Sequence, residues 1–446
     1  MPRSPRPSDL PLSGADCFLR AFDAEVRRTA GASHLAQLVL RLGPGFDAGA
    51  FAKLVAEVAE AQPMLRAPIS RPWGILPPVY RVGQASRAAL PRVEVRDAPA
   101  ADPASAPPLF AERLNERVDA RHGQLVRFDA VRYAGGAAGT DLALTWFHPL
   151  FDGSGSERFL RWLDEVGRGG RAATDLPASS PRPPRPDART RGEQALRWRA
   201  RMHAFGARPP RSLAGPLART PQRLEVEVTS FSREESARIV ERARKLAGFL
   251  TPMLFYLAAS VRAHHAVFQM RGTDPQSFVV PLPVNLRAKG VGGDLFGTQV
   301  SLLWFQVFPE SCTDLDALLA ELKAQRLASI KDGLVEAGTA AMDYARWLPR
   351  RAYARMARRE FGGELCSFFF GFTDEFLAGM DTFLGAPILN GFHSPSVPPS
   401  PGSAAIFCLR AGRLNVTHVR QAGVFSGFEL VRFQQRLRAD LLGEEA

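Results

Sequence analysis

Thr145-Trp146-Phe147-His148-Pro149-Leu150-Phe151-Asp152-Gly153 ends an apolar run and carries the pattern H-x-x-x-D-G. In six residues it joins a side chain that takes up a proton near neutral pH, a carboxylate and a glycine. Upstream, Leu142, Leu144 and Trp146 alternate with Ala143, Thr145 and Phe147, which is a strand pattern. If the strand continues, His148 lies on the face of Leu142, Leu144 and Trp146. Downstream, Ser154 stands three residues before Glu157, the spacing of a capping box. Phe159, Leu160, Leu163 and Val166 follow at helical spacing. The pattern predicts a strand that releases His148, a tight loop holding Asp152, and a helix. Gly153 would permit the turn and a close substrate approach.

The length of 446 residues exceeds one average core and predicts two or three domains. A hydrophobic fraction of 46% and a charged fraction of 23% fit a soluble globular protein. Met1-Pro2-Arg3-Ser4-Pro5-Arg6-Pro7 lacks the apolar core of a signal peptide. The longest apolar stretch, Phe249 to Val261, is broken by Thr251, Pro252 and Ser260 and is too short to span a bilayer. Cys17, Cys312, Cys366 and Cys408 form no C-x-x-C pair and read as reduced thiols of a cytoplasmic protein. The sequon at Asn415 then has no meaning.

The net charge of +12 is nearly all arginine, since only five of 57 basic residues are lysine. Together with the alanine, glycine and proline content, this is what a GC-rich coding sequence produces. No RNA-binding or zinc-finger signature accompanies the charge, so no nucleic-acid partner is expected. An acidic partner or an anionic membrane surface stays open.

Along the chain, Leu38, Leu40 and Leu42 mark a strand, and Phe51, Leu54, Val55 and Val58 a helix ending near Gln62-Pro63-Met64-Leu65-Arg66. A strand near Val126 to Tyr133 turns at Gly135-Gly136 and returns through the strand before His148. Arg182-Pro183-Pro184-Arg185-Pro186 reads as a stiff crossover, with a short helix over Glu193 to Phe205. Strand alternation resumes at Leu224 to Val228, and Ser232 is the predicted N-cap of a helix. Another helix runs from Thr251 to His264, whose pair His264-His265 reads as a helix end. No carboxylate stands beside that pair at ligand spacing, and no metal site is expected. A helix at Leu315 to Leu322, a strand at Ser367 to Phe372, and a hairpin turning at Ala411-Gly412 follow. Ser426 and Glu429 then set a capping box before the last helix.

H-x-x-x-D-G, Pro283-Val284-Asn285-Leu286-Arg287, Phe296-Gly297-Thr298-Gln299 and the C-terminal hairpin with Phe425-Ser426-Gly427-Phe428-Glu429 together resemble the CoA-dependent acyltransferase superfamily. That superfamily includes chloramphenicol acetyltransferase, plant BAHD acyltransferases, condensation domains and wax ester synthases. The resemblance implies an α/β (α+β) fold of two chloramphenicol-acetyltransferase-like domains. Each would be a mostly antiparallel sheet with flanking helices, and an active-site channel would run between them. The expected divisions are an N-terminal domain at 1–172, a crossover at 173–221 and a C-terminal domain at 222–446.

The implied chemistry is direct transfer of an acyl group from acyl-CoA or an acyl carrier protein to a hydroxyl or amine, with hydroxyl favoured. His148 would be the general base, Asp152 the loop holder paired with Arg287, and Ser367 and Asn285 the substrate or oxyanion candidates. No bound cofactor is implied, because the thioester is a co-substrate. The protein is expected to act as a cytoplasmic monomer on a small-molecule or lipid acceptor, with peripheral membrane contact left open.

Three features depart from the pattern. Thr298 replaces the usual asparagine, Phe147 stands where condensation domains carry a second histidine, and the D-F-G-W-G motif of BAHD enzymes is missing. The competing reading is a condensation-like, carrier-binding module of little or no activity. The excess of phenylalanine (30, against five tyrosines) fits an apolar substrate pocket or plain core packing. Neither a G-x-S-x-G elbow nor a P-loop is present.

Overall fold

The computed structural model describes residues 9–99, 106–134, 139–178, 185–215, 223–287 and 294–445. The Gly135-Gly136 turn, Arg182-Pro183-Pro184 and the Met1–Pro7 segment lie outside the described residues. The first half runs β1 (Leu10–Pro11), α1 (Gly14–Thr29), β2 (Leu35–Leu42), α2 (Ala48–Ala61), β3 (Ile69–Ser70), β4 (Val79–Tyr80) and β5 (Arg92–Ala98). It continues with α3 (Pro108–Leu114), β6 (Val126–Tyr133), β7 (Thr140–Phe147) and α4 (Gly153–Gly167). A crossover helix follows, α5 (Ala188–Gly206), longer than the 193–205 expected.

The second half runs β8 (Leu224–Ser230), α6 (Arg233–Ala247), α7 (Met253–Met270), β9 (Phe278–Asn285), β10 (Val300–Val307), α8 (Leu315–Lys331), α9 (Leu334–Ala345) and α10 (Arg350–Arg359). It ends with β11 (Phe369–Thr373), β12 (Thr382–Phe383), β13 (Ala386–Pro395), β14 (Ser403–Arg410), β15 (Arg413–Gln421) and α11 (Gly427–Leu442). The fold is α/β, with two sheet-and-helix lobes. Pairing is antiparallel except at β5–β6 and β11–β14.

The first sheet has the order β12-β13-β2-β7-β6-β5, and β2 and β7 are its buried centre. Their second face is polar but satisfied across the ladder. Gln37 Nε2 donates to Thr145 Oγ1 at 2.9 Å, and Arg41 pairs with Asp141 at 2.9 Å. Both are register neighbours, so each buried polar group meets its partner within the sheet.

The second sheet has the order β11-β14-β15-β8, and the β9–β10 pair adjoins it. Ser367 bridges the two, donating its N–H to Val279 O at 2.8 Å and accepting the Val279 N–H on Oγ at 3.1 Å. The β14–β15 hairpin turns at Ala411 and Gly412 with φ of 47° and 75°, as a two-residue primed turn requires. Ser232 and Ser426 each close a capping box, on Glu235 and Glu429.

Two expectations need correction. Chain order places residues 382–395 in the second domain, yet β12 and β13 complete the first sheet, with β13 antiparallel to β2. The loop leading there is clamped to α4: Glu157 Oε2 accepts the N–H of Leu377 at 2.8 Å, and Asp164 Oδ1 accepts that of Leu384. Both leucines have positive φ, a costly backbone that the clamps hold. Helix α7 does not end at His264-His265 but continues to Met270, because Val267 and Phe268 go on burying apolar surface. His264 is a core residue, stacked on Phe368 at 4.0 Å with Nδ1 bonded to Ser260 O at 2.8 Å.

Candidate active site

Strand β7 stops at Phe147, and Pro149 turns His148–Leu150 into one 3-10 turn. His148 therefore leaves the strand instead of continuing its face. The turn is pinned through its backbone. His148 N–H donates to His34 O at 3.2 Å, Tyr80 Oη donates to Pro149 O at 3.0 Å, and Gly297 N–H donates to Leu150 O at 2.7 Å. Trp146 Nε1 donates to Phe151 O at 2.9 Å. Strands from one half and a loop from the other thus fix one imidazole.

Asp152 is the N-cap of α4, a role the spacing assigned to Ser154. Its Oδ1 accepts the Gly155 N–H at 2.7 Å. Arg287 Nη1 donates to both oxygens, at 2.8 and 2.7 Å, and the Gln299 N–H donates to Oδ2 at 2.7 Å. The pair is buried, with side-chain exposures of 5% and 2%. Arg287 also donates to Asp294 O at 3.1 Å, and Asn285 Oδ1 accepts the Arg287 N–H while its Nδ2 donates to Ser154 Oγ. Asp152, Arg287 and Asn285 are therefore one cross-lobe tie.

Glu157 is no capping partner. Besides the Leu377 amide it accepts His393 Nε2 at 3.0 Å. The motif glycine at 153 has an ordinary φ, and a Cβ there would meet only the His393 ring at 3.7 Å. The indispensable glycine is Gly155, whose Cβ would lie 2.9 Å from Leu295 O.

The Phe296-Gly297-Thr298-Gln299 segment acts through its backbone. The Thr298 N–H donates to Asp16 Oδ1 at 2.8 Å, as Gln299 does to Asp152, so a threonine at 298 serves this tie. Burial pushes the Asp16 carboxyl above its ordinary value, opposed by hydrogen bonds from Thr298 and Ser13.

Sequence reasoning missed two histidines. His34 stacks on His148 with ring centroids 5.1 Å apart, and its Nδ1 lies 2.9 Å from Ser396 Oγ. His393, on β13, stands beside Gly153. Burial drives the His34 imidazole well below the ordinary histidine value, and the neighbouring His148 adds to this. Burial likewise lowers His148, while the carbonyls of His148 and Phe151 and the Asp152 carboxylate oppose it and His393 adds to the lowering. His148 is half-buried as a residue, and its Nδ1 is buried without a hydrogen bond. The result is a neutral imidazole with one nitrogen turned into the protein. Ser367 is buried at the β9 junction, and no hydrogen bond or ring contact joins it to His148.

No protein-family model matches the chain, and no curated protein matches it in sequence. Solved structures match along nearly all of it. The first condensation domain of the calcium-dependent antibiotic (CDA) synthetase is 15% identical with a TM-score of 0.71, covering 99% of this chain and 98% of that one. This chain has the condensation-domain fold. The same fold recurs in a trichothecene 15-O-acetyltransferase from Fusarium sporotrichioides (12% identity, TM-score 0.70, 97% and 95% covered). It recurs also in polyketide synthase associated protein 5 from Mycobacterium tuberculosis (16% identity, TM-score 0.63, 97% and 99% covered). Among the described residues, no group of three metal-ligating side chains converges, and no helix is long and apolar enough to cross a membrane.

Proposed function

We propose that the protein is an acyltransferase that moves an acyl group from a thioester to a hydroxyl acceptor, with His148 as general base. The observation that carries this reading is the backbone-pinned turn at His148, whose Nδ1 is buried and whose imidazole burial biases toward the neutral form. Nε2 is then the nitrogen that meets the acceptor. It takes the hydroxyl proton as the oxygen attacks the thioester carbonyl. When the tetrahedral intermediate collapses, the C–S bond breaks and the thiolate leaves with that proton. The imidazole returns to its neutral form, with no acyl-enzyme.

Ser367 is the proposed oxyanion donor: its Oγ accepts the Val279 amide, which leaves the hydroxyl hydrogen free to donate. Asp152 and Arg287 hold the loop and do not touch substrate. The donor is acyl-CoA or an acyl-phosphopantetheine on a carrier protein.

The test incubates the purified chain with a panel of acyl thioesters and cell-extract acceptors, and identifies products by mass spectrometry. Acylated product from the native chain and not from His148→Ala is the expected result. Carrier-protein binding without product from any donor would overturn it in favour of a docking module.

A further inference from the structure

A cavity of about 680 Å³ lies among α1, α5, α9, α10 and β10, within the usual range for ligand sites. Its walls include Phe18, Trp198, Met202, Trp304, Met342 and Met356. Of the 30 phenylalanines only Phe18 and Phe361 line it, so this cavity does not account for the phenylalanine excess. The charged residues lining it among the described residues are Arg199, Arg359 and Glu360; both arginines are exposed, and Glu360 pairs with His203 outside. The wall is otherwise aromatic, aliphatic and thioether. Methionine adapts to a flexible apolar occupant, and an unfilled void of this size forfeits packing.

Packed rings separate it from the histidines. Phe18 packs on Phe22 at 4.4 Å, Phe22 stands edge-on to His34 at 5.6 Å, and His34 stacks on His148 at 5.1 Å. At the other end, Leu196, Tyr344 and Met356 are exposed. The crossover helix α5 forms one side, so the segment joining the lobes also shapes the cavity.

We propose that this cavity holds a long aliphatic chain of the substrate. The inference rests on the acyl-transfer reading for the chain's belonging to a substrate, but not for binding itself. The chain belongs either to the donor's acyl group or to the acceptor's alkyl group. Both present the same flexible, uncharged methylene run to the same walls.

The test follows the tryptophan fluorescence of the full chain, to which Trp198 and Trp304 in the cavity wall contribute two of six tryptophans. The titrants are S-acyl-N-acetylcysteamine thioesters of two to ten acyl carbons and, separately, primary alcohols of the same lengths. Affinity should rise by up to about fourfold per methylene in at least one series, in the native chain and in His148→Ala alike. Tightening in the thioester series alone assigns the donor, and in the alcohol series alone the acceptor.

Ala341→Phe fills the cavity and should weaken decanoyl or decanol binding at least tenfold while sparing the two-carbon probe. Ala195→Phe on α5 is the second filling variant, and thermal melts establish that either one is folded. Affinity that ignores chain length in both series, or that survives in a folded filling variant, overturns the proposal. Chain-length-dependent binding with no product from any thioester sinks the acyl-transfer reading and leaves the cavity assignment standing.

Discussion

The two ends of the His148–Asp152 loop are four residues apart and are treated in opposite ways. At Asp152 both oxygens are saturated, by Arg287, Gly155 and Gln299. At His148 the backbone N–H is bonded to His34, yet the ring Nδ1 is buried with no full partner. Buried polar groups are ordinarily satisfied; the saturated carboxylate holds the loop, whereas the imidazole makes no side-chain bond that would hold it. Charge says the same: the carboxylate of the loop is paired with Arg287, and burial disfavours a charge on the imidazole.

The contrast fails at once if the two ends respond alike. His148→Ala should lower turnover by about 10²–10⁴-fold, with a melting temperature close to that of the native chain. A variant that unfolds would make His148 a second holder.

Asp152→Ala should instead cost about 3–5 kcal/mol of stability, because it strands the Arg287 guanidinium. Asp152→Asn with Arg287→Gln should recover part of that loss in urea unfolding. Strictly additive losses would deny the coupling.

A smaller effect tests the fit of the tie. Gly155→Ala should cost about 1–3 kcal/mol by overpacking against Leu295 O, whereas Gly153→Ala should be close to neutral. Equal effects at the two glycines would contradict the geometry.

The smallest effect is a shift in a pH profile. Since burial lowers His148, kcat/KM should fall on the acid side with an apparent pKa below the usual 6.5 of histidine. His393→Gln removes a neighbour that disfavours the imidazolium, so the His148 pKa should rise and the acid limb move to higher pH. An unmoved limb would detach His393 from the site.

What could be read from the sequence was local. The strand before His148, the N-cap at Ser232, the capping box at Ser426 and the turn at Ala411-Gly412 depend on neighbours a few residues away, and periodicity or spacing reports them. Where a local signal had a nonlocal competitor, it misled. Ser154 and Glu157 have capping-box spacing, but Asp152 caps the helix and Glu157 reaches His393, 236 residues on. His34 carries no motif and sits at the start of an apolar strand, so nothing in its vicinity distinguishes it from a core residue. Its hydroxyl partner, Ser396, is 362 residues away. The return of β13 to the first sheet was hidden for the same reason, since an apolar alternating strand does not state which edge it will join.

That return has a consequence in time. During synthesis the β2 edge, and His34 beside it, emerge far ahead of β13 and Ser396. At about 5–20 residues per second the interval is roughly 20–70 s. For that period the growing chain carries an open strand edge, a template for unwanted pairing with other chains. The histidine pair receives its last support only once Ser396 has been made, 362 residues after His34. A chaperone or ribosome-bound factor that shields the β2 edge would therefore act on this protein before it has a working site, and a chain truncated before β13 should aggregate rather than fold into a lone first lobe.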